Sequence, residues 1–271
     1  MRPVYRNAAP DFYSPMNSRS RNVAYDYHVF GEALLRNIGE YCSYCEAALC
    51  GNAAVEHIVS KSTQPQMENS WVNFLLACVN CNSAKGSKVG AATELANYIF
   101  PCDCRVDPAD ASVDSYSAYT YSLENGHAVV NVDTARSPEI QARARNTLRL
   151  VGLDQPYADT GTASNRRIEN RTLAWNTAHQ LATLLSSACR PNGILDSLAV
   201  NLLKQQIMGT ALSLGFWSVW ITLFRAMLTS QNVPEQPREL LLDELFSRPL
   251  AGTNYGPSKP AIPDGYSGLP V

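Results

Sequence analysis

The sequence predicts an α+β protein made of a metal-clamped finger, a β-hairpin and a mainly helical C-terminal region. Three observations carry that prediction. Two Cys-x-x-Cys pairs, Cys42/Cys45 and Cys78/Cys81, open 36 positions apart, a spacing that closes one tetrahedral four-thiolate site. Between Ser115 and Val132 apolar and polar residues alternate around Asn125-Gly126, the turn pair of a tight hairpin. From Ser137 onward the apolar period lengthens to that of a helix.

The elements follow in order. Residues 1–25 are polar and irregular, with Arg2, Arg6, Arg19 and Arg21 among prolines and serines, and read as an arm that orders on contact. Residues 26–100 form the clamped core. Within it Phe30, Leu34, Leu35 and Ile38 predict a short helix over Val29 to Ile38, which delivers the chain to the first cysteine pair. Ala91 to Ile99 reads as a helix ended by Pro101. Residues 101–134 hold the hairpin, with Tyr119, Tyr121 and Leu123 on one face and Val130 and Val132 on the return strand.

Residues 135–250 form the helical region. Ser137-Pro138 sets a capping hydroxyl and an N1 proline ahead of Ile140, Ala144, Leu148 and Val151. Leu173 to Cys189 is a second helix, stopped by Pro191-Asn-Gly193. Ile194 to Ser230 is a third helical stretch with a break near Gly209 or Gly215, and Arg238 to Phe246 a short last helix. The Gly- and Pro-rich tail, 251–271, reads as flexible.

Composition narrows the class. Of 271 residues 45% are hydrophobic and 17% charged, as in a soluble globular chain. The formal net charge of −2 means that the molecule as a whole does not attract nucleic acid, so cations must be concentrated locally or lent by a partner. Met1 to Arg6 lacks the apolar core of a secretory signal. Four of the eight cysteines stand in ligand spacing, which favours a reducing cytoplasm over a disulfide framework. Ile207 to Phe224 is uncharged over 18 residues, the lower limit for a membrane span. Its Gly209, Thr210, Ser213 and Gly215 instead favour a buried or partner-facing helix, and no membrane partner is expected.

The chemistry concentrates between Cys42 and Gly86. Four cysteine ligands leave no open coordination position, so a zinc ion held by Cys42, Cys45, Cys78 and Cys81 is structural. Cys50, Cys102, Cys104 and Cys189 lack such a pattern and read as free thiols. Phosphodiester hydrolysis needs an activated water and neutralisation of the scissile phosphate. His57 suits the base role near neutral pH. Glu56 and Asn82 offer the oxygen ligands that a hard divalent ion such as Mg2+ prefers.

Lys85, one turn past Asn82, reads either as a phosphate contact or as a solvated helix lysine, and Lys61 and Lys88 leave the same two readings open. Between 136 and 171 seven arginines, Arg143 and Arg149 among them, face four acids. They make either a surface that tracks a nucleic-acid backbone or a solvated helix face laced with ion pairs.

The run Tyr41-Cys-Ser-Tyr-Cys-Glu46, Val55-Glu-His-Ile58, Trp71-Val-Asn73, Cys78-Val-Asn-Cys81-Asn82 and Lys85-Gly86 resembles the HNH family of ββα-metal endonucleases. The resemblance implies a ββα finger with His57 as general base and Glu56 and Asn82 on the catalytic divalent metal. It also implies that Asn73 fixes the loop that carries the base. Glu stands where Asp is commoner, and Asn stands in place of the last His, which favours Mg2+ or Mn2+ over softer metals.

A narrower likeness is to the HNH component of Septu-type and retron-associated antiphage systems. It implies DNA as substrate and an ABC-like ATPase partner on the helical half. Two other readings share the finger: an RNase-type toxin, and a zinc-finger module that binds nucleic acid without cutting it. Glu56, His57 and Asn82 count against the second, because a bare finger needs none of them.

Overall fold

The computed structural model describes residues 1–4, 6, 26–102, 106, 114–155, 165–188, 197–231, 233 and 235–246. A 3-10 turn at Tyr27–Phe30 runs into α1 (Gly31–Ile38), which buries Leu34 and Ile38, one turn apart on one face. Strands β1 (Ala54–His57) and β2 (Phe74–Ala77) pair antiparallel, with Ala54 opposite Ala77 and His57 opposite Phe74. All four residues of β2 are buried. Helix α1 packs on it, and the cysteine knuckle is tied to its edge by Ser43 N donating to Leu76 O at 2.8 Å.

Helix α2 (Val79–Lys85) follows directly, its start capped by the Cys78 sulfur and its end set by Gly86 at φ 49°. The order β1, β2, α2 is a ββα finger. The segment expected as a helix over 91–99 is a 3-10 run, Ala92–Asn97, because six residues with no capping side chain are too few to nucleate an α-helix.

The hairpin forms from β3 (Tyr119–Glu124) and β4 (His127–Val132), in register from Tyr119 opposite Val132 to Glu124 opposite His127. Asn125 (φ 50°) and Gly126 (φ 82°) both take the left-handed conformation that a two-residue turn between twisted strands requires.

Among the described residues further helices follow α2 along the helical region. They are α3 (Pro138–Leu150), α4 (Arg167–Ala188), α5 (Ser197–Leu214) and α6 (Trp217–Ser230), with α7 (Glu235–Phe246) closing the described chain. Ser137 Oγ accepts from Ile140 N at 3.4 Å to cap α3. Helix α4 starts six residues before the expected Leu173, because its first turn turns inward the polar-looking Arg167 and Arg171. Along α4 the small residues Ala174, Ala178 and Ala182 are buried, which lets α6 approach closely.

The helical stretch breaks at Gly215 (φ 75°) and Phe216 (φ 58°), and Gly209 stays inside α5. Gly215 to Ile221 are all buried, with Leu223 and Phe224, so this half of the apolar run is core, whereas over 207–214 Ile207 and Ala211 face inward and Gly209 and Ser213 are exposed. Among the described residues no helix is long and apolar enough to cross a membrane.

Helical region and finger meet at the knuckle. Gly215 bridges to Ala47, and Phe216 N donates to Glu46 O at 2.8 Å. The described start of the chain is packed rather than loose. Met1 and Val4 are buried, Val4 N donates to Pro101 O at 2.8 Å, and Arg6 Nη1 donates to Phe74 O at 2.6 Å. The remainder of the expected arm and the 251–271 tail lie outside the described residues, as do Cys104, Cys189 and the Pro191-Asn-Gly193 stop.

Candidate metal centre and hydrolytic site

The knuckle turn and the first turn of α2 bring Cys42, Cys45, Cys78 and Cys81 together, their sulfurs all within 4.8 Å of one another. Cys45 Sγ and Cys78 Sγ are 3.7 Å apart. A tetrahedron of metal–sulfur bonds near 2.3 Å has edges of about 3.8 Å, so the donor set fits a four-thiolate ion. Hydrogen bonds from Cys42, Cys45 and Cys81 pull the partly exposed Cys78 thiol far down. Cys45 and Cys81 are pushed up, led by their hydrogen bonds with Cys42. A dication is what lets all four ionise together. Cys50 is exposed and Cys102 is buried away from this cluster.

His57 ends β1 and lies edge-on between two rings, Phe74 at 5.2 Å and Tyr27 at 4.8 Å between centroids. Its Nε2 is 2.9 Å from Glu68 O. A carbonyl oxygen only accepts, so Nε2 carries the proton and Nδ1 keeps its lone pair. Burial is the main cause that lowers the imidazole pKa. The nearby Lys61 and Lys85 charges add to it, and the bond to Glu68 O opposes it. The downward shift favours the neutral ring, the state a general base requires.

Asn73, wholly buried, holds the loops on either side of this histidine. Its Oδ1 accepts from Val59 N at 2.8 Å, and its Nδ2 donates to Val59 O at 2.9 Å and Met67 O at 3.1 Å. One amide thus fixes both the segment after His57 and the segment that carries Glu68.

Glu56, the preceding residue, points to the opposite side of β1, as strand alternation demands. It is buried, and its Oε1 is 2.7 Å from Lys85 Nζ. Burial pushes its carboxyl pKa up and the Lys85 ammonium pulls it back only in part. Lys85 is fully buried and also donates to His57 O at 2.6 Å. The expectation that Lys85 contacts phosphate is thus corrected: its charge is spent inside the finger. Asn82 is partly exposed on α2. With an ammonium already on the Glu56 carboxylate, Glu56 and Asn82 do not fit a ready hard-cation site as they stand.

The basic candidates separate in the same way. Lys61 is half exposed, pairs with Glu68 at 3.1 Å and sits 4.0 Å from the centre of the Tyr27 ring. Lys88 is exposed, its Nζ donating to Ala84 O at 2.6 Å. Arg143 is anchored on backbone, donating to Tyr98 O and to Val106 O. Arg149 is exposed and lies 3.7 Å from Asp154. Arg167 and Arg171 are buried, so the seven arginines of 136–171 do not share one outer surface. Sequence reasoning missed Tyr27 and Glu68. Tyr27 stands thirty positions before His57, and Glu68 acts through its backbone carbonyl, which no residue type signals.

The HNH endonuclease family profile matches residues 42–88, the segment that contains the knuckle, His57, Asn73 and α2. That match suggests nuclease activity and a nucleic-acid substrate. No curated protein and no solved structure is significantly similar to this chain.

Proposed function

We propose that this protein is an HNH-type endonuclease that hydrolyses DNA phosphodiester bonds, with His57 as general base. The observation that carries the reading is the His57 ring, held through Nε2 by Glu68 O at 2.9 Å so that the proton sits on Nε2 and Nδ1 keeps its lone pair. In the proposed reaction Nδ1 takes a proton from water as the water oxygen bonds to phosphorus and the leaving oxygen departs. Asn73 keeps the two loops in register, and Lys61, beside Tyr27 at the mouth of the site, is the nearest half-exposed cation for a phosphate. The four cysteines hold structural Zn2+.

HNH nucleases are metal-dependent, so a divalent ion, Mg2+ or Mn2+, is part of the proposal. Its ligands are not assigned to the buried Glu56–Lys85 pair.

The reading of an antiphage effector with an ATPase partner stays with the proposal, but its docking surface moves. Gly215 to Ile221 are buried, whereas Leu173 and Leu184 of α4 and Leu198 and Leu202 of α5 are each at least half exposed. Exposed apolar side chains of this size on neighbouring helices suit a partner.

The test is cleavage of supercoiled plasmid, and in parallel of structured RNA, by the full chain with Mg2+ or Mn2+. His57→Ala is expected to lose about 10²-fold or more in rate with zinc content unchanged. Equal cutting by the His57→Ala variant would sink the assignment, and cutting of RNA alone would redirect it to the toxin reading.

A further inference from the structure

The four-cysteine centre has a fifth participant. Arg167, in the first turn of α4, is only 6% exposed. Its Nη1 donates to Cys81 Sγ at 3.3 Å and to Val151 O at 2.8 Å. Nη2 donates to Gly152 O at 2.9 Å, and Nε donates to Asn165 Oδ1 at 2.9 Å. Every edge of the guanidinium is engaged, yet none of these four acceptors is a carboxylate. A permanently charged group buried in this way is costly unless an anion is close. The one acceptor able to carry charge is the Cys81 sulfur.

The metal side of the contact needs such a cation. A dication held by four thiolates leaves the centre doubly negative in a buried setting. We propose that Arg167 is a positioning residue of the metal centre, offsetting that charge and holding Cys81 by a charge-assisted N–H···S bond. Arg171, one turn further along α4, is also buried and lies in the field of Cys45. The same guanidinium ties the metal to the rest of the chain. Its acceptors come from α2 (Cys81), from the turn after α3 (Val151 and Gly152) and from Asn165, two residues before α4. Lysine cannot replace it, because a single ammonium does not span a sulfur and two carbonyls in a fixed fork. Metal occupancy and the seating of the helical region on the finger are therefore one event.

This inference rests on the four cysteines holding zinc, and the experiment reads that point separately. Elemental analysis of the full chain is expected to show zinc. Its transfer to a chromophoric chelator is then timed for wild type, Arg167→Met, Arg167→Lys and Arg143→Met. The last removes an arginine of α3 that is anchored on the Tyr98 and Val106 carbonyls. Transfer should be about 10-fold or more faster in Arg167→Met, intermediate in Arg167→Lys and unchanged in Arg143→Met. Wild-type protein without zinc removes the metal reading itself. Zinc present but released at the wild-type rate by both Arg167 variants overturns the proposal, and so does equal acceleration in Arg143→Met. If Arg167→Met does not fold, Arg167→Lys decides, since wild-type-like retention there overturns it.

Discussion

Lys85 Nζ lies 2.7 Å from Glu56 Oε1 and 2.6 Å from His57 O, with both side chains buried. One ammonium therefore braces α2 against β1 at the residue pair on which the hydrolytic reading depends. Removing one partner of a buried pair strands the other charge, which costs about 3–5 kcal/mol, whereas replacing both with apolar residues of similar volume costs far less. Lys85→Met and Glu56→Leu should each destabilise strongly in urea unfolding, and the double variant should recover much of the loss. Strictly additive losses would show that the two groups are not coupled.

Asn73 offers a test of loop anchoring. In Asn73→Ala the Val59 N–H, the Val59 carbonyl and the Met67 carbonyl lose their partner. Each buried group left unsatisfied costs about 1–3 kcal/mol. The loop that supplies Glu68 O to His57 loosens with them, so cleavage should fall by about 10-fold or more while zinc content holds. Undiminished cleavage by a folded Asn73→Ala protein would detach this amide from the site.

Gly215 joins the finger to the helices. Its φ of 75° is left-handed, and a Cβ there would overlap Glu46 O and lie 2.9 Å from Ala48 N. Both obstacles are backbone and cannot rotate away. Gly215→Ala should lower stability by about 2 kcal/mol or more, whereas Gly209→Ala, inside α5 with open space at the Cβ, should be neutral or stabilising. Thermal melts of the two variants decide this, and equal melting temperatures would contradict it.

Glu46 sets an acid limit on stability. Burial alone would raise its carboxyl pKa. The Met1 amino group at 3.6 Å and the hydrogen bonds from Ser218 and from Arg2 N outweigh that, and the net shift is downward. A carboxyl with a lowered pKa in the fold stabilises fully above its unfolded pKa of about 4.3. That stability is lost as pH falls through the folded pKa. Denaturation midpoints should therefore drop below about pH 4.3 in wild type, and Glu46→Gln should flatten that acid limb. An unchanged acid limb would mean that other carboxyls set it.

Much of the finger was legible because its signals are local. Cys-x-x-Cys, Glu-His and Asn-Gly each name a residue type for a geometric reason that does not depend on distant contacts. The same holds for the Ser-Pro start of α3, where capping acts within one turn. The start of α4 was not legible. Arg167 and Arg171 look like solvent-facing residues until the thiolate cluster, the carbonyls of Val151 and Gly152 and the Ala128 carbonyl are seen around them. Lys85 misled for the same reason: its partner Glu56 is 29 positions away and meets it only across the ββα turn.

By itself the sequence determined the cysteine quartet, the base candidate His57, the asparagines at 73 and 82, the hairpin turn and the helical character of the second half. The quartet, the turn and the helices are short-range patterns that ligand spacing, turn chemistry or periodicity specifies, whereas His57, Asn73 and Asn82 stand out through the resemblance to HNH endonucleases. Tertiary structure alone decided which charges are buried and what they meet. It put Lys85 on Glu56, Arg167 on Cys81, Ser218 on Glu46, and residues 215–221 in the core. The reason is physical: a charged side chain is excluded from the interior unless a partner waits there, and only the folded chain brings that partner within reach.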